Sequence, residues 1–147
     1  DPSWHVRAAY LKGLQGIKTI RGKSKRIKTI ESFLEDESVT VKAAAIKAMA
    51  KLSPKSAGAL VSSIAENKSW VLRRAAGEAI EFIPRKMRFL FLLKFLKDLD
   101  PRVRASVIQV VAKQKNKIAA LELTVAQLSK QITQLKKIEQ TISGHGH

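Results

Sequence analysis

Apolar residues recur along this chain at helical spacing, in blocks separated by short polar turns. Trp4, Val6, Tyr10, Leu11 and Leu14 give the opening segment an apolar face. Ile27, Ile30, Phe33 and Leu34 form a stripe in KSKRIKTIESFLED, which predicts a helix over residues 24–35. Two more helices are predicted, one after Ser53-Pro54 ending near Glu66, the other from Pro84 to near Asp98. With four prolines, seven glycines and only short β-branched runs, strands have little support.

Between these blocks one motif occurs four times, as DPSWHVRAA, DESVTVKAA, NKSWVLRRA and DLDPRVRAS. Aligned, Asp1, Asp36, Asn67 and Asp98 share a column, as do Val6, Val41, Leu72 and Val103. Arg7, Lys42, Arg73 and Arg104 share a third, and Ala9, Ala44, Ala75 and Ser106 a fourth. Successive copies lie 35, 31 and 31 residues apart. A fixed period of that size marks stacked units, each burying on its neighbours a face it cannot bury alone. Ser3, Ser38, Ser69 and Asp100 form a column of N-cap residues, so helices are predicted to start near 4, 39, 70 and 101. Pro101 then falls at the first helical position, where its missing N–H costs nothing. The fourth column puts small residues where neighbouring helices must approach closely.

Beyond Pro101 no proline or glycine appears before Gly144, which predicts one helix over 101–142, about 60 Å long. Ile118, Leu121, Val125, Leu128, Ile132 and Leu135 alternate at spacings of three and four within it. That is a heptad seam with β-branched residues at a and leucine at d, the combination that favours parallel two-stranded coils. Val107 and Val111 extend the register backward through a polar d position at Gln114, so the coil is expected from about 107. Glu139 interrupts the a column, and residues 143–147 are expected to form a flexible tail. A homo-oligomer follows, with the dimer favoured.

The motif D-x-x-x-x-[VL]-[RK]-x-[AS], four times in phase over roughly residues 1–110, resembles the HEAT repeat family. Its relatives that share sequence with bilin lyases are included in that resemblance. The resemblance implies an all-α fold: an α-solenoid of helical pairs over residues 1–100, continued by the long coiled-coil helix. It also implies a hydrogen-bonded ladder through the stack, with rungs from Asp1, Arg7, Asp36, Lys42, Asn67, Arg73, Asp98 and Arg104. Asn67 departs from the acidic pattern, so its rung is expected to be weaker. In that family the motif helix is the second of its pair, so residue 1 would fall in mid-repeat. The array is therefore expected to continue upstream, over the apolar face of the opening helix.

Charge is the strongest signal in the composition. The chain carries 28 Lys and Arg against 12 Asp and Glu, a formal charge of +16. Such a field draws acidic proteins, nucleic acid or anionic surfaces without choosing among them. Lys18, Arg21, Lys23, Lys25, Arg26 and Lys28 concentrate it in KTIRGKSKRIK, with no acid between Pro2 and Ile30. These residues are the candidate partner or polyanion contact, set against the plainer reading of a solvated basic loop. The spacing is not that of a phosphate-binding P-loop. MRFLFLLKFL, Met87 to Leu96, is apolar on nearly every side, and its second face is expected to be buried in the fold or its assembly. No apolar stretch is long enough to cross a bilayer.

Chemistry for catalysis is not apparent in the sequence. His5 is the one histidine of the repeat region, in a column otherwise filled by Thr40, Val71 and Arg102. His145 and His147 in the closing SGHGH belong to the expected tail, so neither a metal nor a cofactor is expected. Trp4 and Trp70 recur in phase, which favours packing over base stacking. The chain has no cysteine; its compartment stays open, with the cytoplasm favoured. The expected function is a non-enzymatic scaffold that binds a protein partner, acidic in character, and oligomerises through the coil. The alternative is a basic HEAT module that contacts DNA or RNA backbones. A third reading, an engineered fusion, rests on KIAALE (117–122), which is similar to heptads of designed coils.

Overall fold

A computed structural model describes residues 3–17 and 21–145, and all regular structure among them is helical. The elements are α1 (Trp4–Gln15), α2 (Lys23–Phe33), α3 (Val39–Leu52), α4 (Pro54–Ile64), α5 (Trp70–Ala79), a 3-10 turn (Ile80–Phe82), α6 (Arg85–Leu96) and α7 (Pro101–His145). The four motif helices begin at residues 4, 39, 70 and 101, where the N-cap column puts them. Ser38 Oγ accepts from Val41 N–H at 3.3 Å and Ser69 Oγ from Leu72 N–H at 3.4 Å. Asp100 Oδ1 accepts from Arg102 N–H at 2.8 Å. Ser3 departs from the column: its backbone is helical, and its hydroxyl accepts from the Arg7 guanidinium instead of capping α1.

The chain divides into two compact units, residues 1–110 and 111–147. In the first, α3 packs against α1, α2, α4 and α5. A helix with neighbours on both sides needs two apolar faces, and α3 has them. Val41, Ala45, Ala48 and Leu52 join Leu11 and Ile30 in one buried cluster. Ile46 and Ala50 join Ala57, Val61, Leu72, Ala75 and Ala76 in the other. The second cluster extends to Phe95 of α6 and to Val103 and Val107 of α7. Gly77 lets α5 lie close to α7, because a Cβ there would run into Ser106 Oγ and sit 3.3 Å from Val107 Cγ2.

The first unit runs ten residues past the 1–100 expected for the array, because Val103, Val107 and Val110 are buried. Val107 therefore belongs to the core of this unit and not to the start of the heptad seam. The second unit is the remainder of α7. It stays helical through Gly144 to His145, past the point where a flexible tail was expected at 143. Residues 146 and 147 lie outside the described residues.

Candidate interaction surfaces

The motif columns converge on the turns that join the helical pairs. Asp36 Oδ1 accepts from Ser38 N–H at 2.9 Å, Asn67 Oδ1 from Ser69 N–H at 2.8 Å, and Asp98 Oδ1 from Asp100 N–H at 2.9 Å. Each side chain thus fixes the turn that carries its N-cap, and asparagine does this as well as aspartate. The basic column makes two kinds of contact. Within a repeat, Arg73 Nη1 donates to the Asn67 carbonyl at 2.7 Å and Arg104 Nη1 to the Asp98 carbonyl at 2.6 Å. Between repeats, Arg7 Nε and Nη2 donate to Asp36 Oδ2 and Oδ1 at 2.8 and 3.0 Å. Arg73 pairs in the same fork with Asp98, at 2.9 and 3.3 Å. The Arg7 bonds hold the Asp36 carboxyl below its ordinary range, helped by the Ser38 N–H and by the charge of Lys42.

No hydrogen bond or ion pair joins Lys42 to Asn67, so the middle rung has neither a fork donor nor a charged acceptor. Asp1, the first residue of the column, lies outside the described residues, as does Lys18 of the basic cluster. The rest of that cluster sits on and just before α2. Gly22, at φ +75°, takes the left-handed conformation that launches the helix at Lys23. Arg21, Lys23, Lys25 and Lys28 are exposed, while Arg26 is half-buried and donates to the Arg21 carbonyl at 2.7 Å. No acid occupies the first turn of α2, so Lys23 and Lys25 lie against the positive end of the helix dipole. That placement weakens the helix slightly and makes an anionic neighbour favourable.

Sequence reasoning missed a third cluster. The Arg102 guanidinium lies 3.4 Å over the Trp70 ring, and its Nε and Nη2 donate to Asp100 at 3.0 and 2.8 Å. This contact lowers the Asp100 carboxyl to about 2 and raises Arg102. The available signal was the repeat period, which sets the residue after Pro101 beside the tryptophan of the preceding copy. Trp70 and Trp4 both pack on the buried clusters, and Trp4 also stacks with His5, centroids 3.5 Å apart.

Along α7, all six seam residues are exposed, from 44% at Ile118 to 64% at Leu135. On α6, Phe95 is buried, but Met87, Phe89, Leu90, Leu93 and Leu96 are exposed. The first unit thus does not bury the second apolar face of that helix. Among the described residues, no cluster of three or more His, Asp or Glu side chains could hold a metal ion, and no helix is long and apolar enough to cross a membrane. An open cleft beside the last rung is lined by Glu66, Asn67, Arg73, Lys94 and Asp98. Arg73 pairs there with Asp98 and Lys94 with Glu66, while Lys97, also on its lining, has no ion pair among the described residues.

No curated protein and no solved structure matches the chain. A family model for HEAT repeats matches residues 1–81. The match stops before the fourth motif, yet the Arg73–Asp98 pair and the buried Val103 carry the same geometry past its end. HEAT repeats in general serve as protein-interaction scaffolds. Since the match covers more than half of its 147 residues, the chain belongs to the HEAT repeat family.

Proposed function

We propose that this chain is a non-enzymatic scaffold, an α-solenoid of HEAT-type pairs that binds an acidic protein partner and is oligomerised by a coil. Within its family, the motif sets it beside the bilin-lyase-like repeats. The observation that carries the reading is the seam of α7, where six residues at heptad spacing are all exposed. An apolar stripe of that length is stable in water when a second helix covers it. In a parallel pair, Lys117 at g of one copy meets Glu122 at e of the other, which supports that orientation. Joining two arrays makes the second binding event on a divalent partner intramolecular and raises avidity.

The partner contact is assigned to Lys18, Arg21, Lys23, Lys25, Arg26 and Lys28, supported by the exposure of the described lysines and the lack of acid in the sequence between Pro2 and Ile30. Light scattering on a size-exclusion column tests the coil. The wild type should run at twice the 16.3 kDa chain mass, and Leu128→Glu/Ile132→Glu should run as the single chain. An unchanged mass in the variant would reject pairing through the seam. Short duplex DNA in the same experiment separates the nucleic-acid alternative. Submicromolar binding at physiological salt, abolished by reversing Lys23, Lys25 and Arg26 to glutamate, would replace the acidic protein partner with a polyanion.

A further inference from the structure

Helix α6 presents an apolar face that the first unit leaves open. Its inward side is fixed: Phe95 is buried, and Phe91 and Leu92 pack against the larger cluster. Arg88 adds a lock by donating to the carbonyls of Glu81 and Ile83, both at 3.0 Å from Nη2. The helix therefore cannot roll to hide its other side. That side shows Phe89 at 65% and Leu90 at 72% exposure, with Leu93 and Leu96 beside them.

Cations bracket this face at both ends. Lys86, Leu90 and Leu93 follow the spacing i, i+4, i+7 and form one ridge along the helix, and Lys97, at i+11, caps its C-terminal end. Eleven residues of helix rise set the two lysine backbones about 16 Å apart. Arg85 flanks the first end and Lys94 the second. Lys94 already takes a carboxylate, from Glu66 at 2.9 Å. Among the described residues, no carboxylate pairs with Arg85, Lys86 or Lys97.

We propose that α6 is the docking site for an amphipathic helix of a protein partner, one whose apolar stripe is bracketed by carboxylates about three turns apart. The inference rests on the scaffold reading and identifies the acidic partner by its shape. A second copy is a poor occupant, because its α6 would bring the same cations together. An anionic lipid surface fits less well. Helices that lie in a membrane interface keep their cations on the face away from the acyl chains. Here Lys86 shares the ridge with the leucines, Lys97 caps its end, and the opposite face is buried in protein.

The test uses the full chain and a labelled helical peptide carrying two leucines between glutamates eleven residues apart, matched to Lys86 and Lys97. Fluorescence anisotropy should show binding that weakens by about tenfold or more in Leu90→Ser/Leu93→Ser and in Lys86→Glu/Lys97→Glu. All four positions are exposed, so far-UV circular dichroism should be unchanged in both variants. A peptide of the same composition with its glutamates clustered at one end should bind more weakly. The proposal is overturned if neither variant weakens binding, if the clustered peptide binds equally well, or if the first peptide is not bound. Recruitment to phosphatidylserine vesicles that depends on Leu90 and Leu93, without peptide binding, also overturns it. Neither variant touches α2 or the seam, so failure here leaves the mass and DNA experiments to judge the scaffold on their own.

Discussion

At the scale of single residues, the fork geometry of arginine separates strong rungs from weak ones. Arg73 meets both carboxylate oxygens of Asp98 and also two carbonyls of its own turn, at Asn67 and Lys68. Removing it leaves a largely buried carboxylate without its cation, so Arg73→Ala should lower stability by about 2 kcal/mol in urea unfolding. Lys42→Ala, at the equivalent column position, breaks no such fork and should cost about 0.5 kcal/mol or less. Equal losses would show that the column contributes through charge alone. Acid should act on Asp36 and Asp100, whose carboxyls are held below the ordinary 3.8. A depressed carboxyl stabilises the fold fully above its unfolded value, and this contribution is lost as pH falls through the folded value. For Asp100 the loss runs from 3.8 down to about 2. The melting temperature of Asp100→Asn should therefore fall less than that of wild type across this window. Gly77→Ala should destabilise by about 2 kcal/mol through overpacking against Ser106 and Val107, with partial recovery when Ser106→Ala is added.

At the scale of elements, the same helical pattern serves different surfaces along one helix. Val107 and Val125 both fall at heptad positions, yet Val107 is fully buried and Val125 is 61% exposed. Val107→Ala should cost about 2 kcal/mol in unfolding of the first unit, independent of protein concentration. Val125→Ala should leave that transition in place and shift only the concentration dependence of oligomer formation. If Val125→Ala instead lowers the melting temperature of the first unit at all concentrations, the seam does not serve pairing. Heptad spacing alone cannot separate these cases, because packing on an intramolecular neighbour and on a second chain demand the same period. On α6, apolar residues lie on nearly all sides and burial of the second face is expected in the fold or its assembly; the first unit covers only the side carrying Phe95.

At the scale of the whole molecule, a net charge of +16 governs the approach of any partner. Binding of an acidic protein should weaken as salt rises, since exposed charges are screened over about 10 Å at 0.1 M. Reversing Lys23, Lys25 and Arg26 to glutamate should slow association more than it speeds dissociation, as expected for exposed charges that steer an encounter. If the contact were to a duplex, the log–log salt dependence would instead fall with a slope of about −0.9 per phosphate. A partner whose association rate ignores both salt and the reversal would remove α2 from the binding surface.

The helical class, the four motif helices with their starts, and the acid and base columns were all legible in the amino-acid order. These follow from local rules, since caps, prolines and apolar spacing act within a turn or two of the residues that carry them. That order also carried the heptad seam, because periodicity is written residue by residue. The packing of the elements set which of these residues meet. Arg7 reaches Asp36 and Arg73 reaches Asp98, whereas Lys42 and Asn67, in the same columns, form no bond with each other. It placed Arg102 on Trp70, withdrew Val107 from the seam, and left Leu90 and Leu93 of α6 uncovered. The reason is that burial and pairing depend on the distance and angle between elements, and each apolar position in a helix pattern is compatible with several neighbours. Only the packed arrangement selects one.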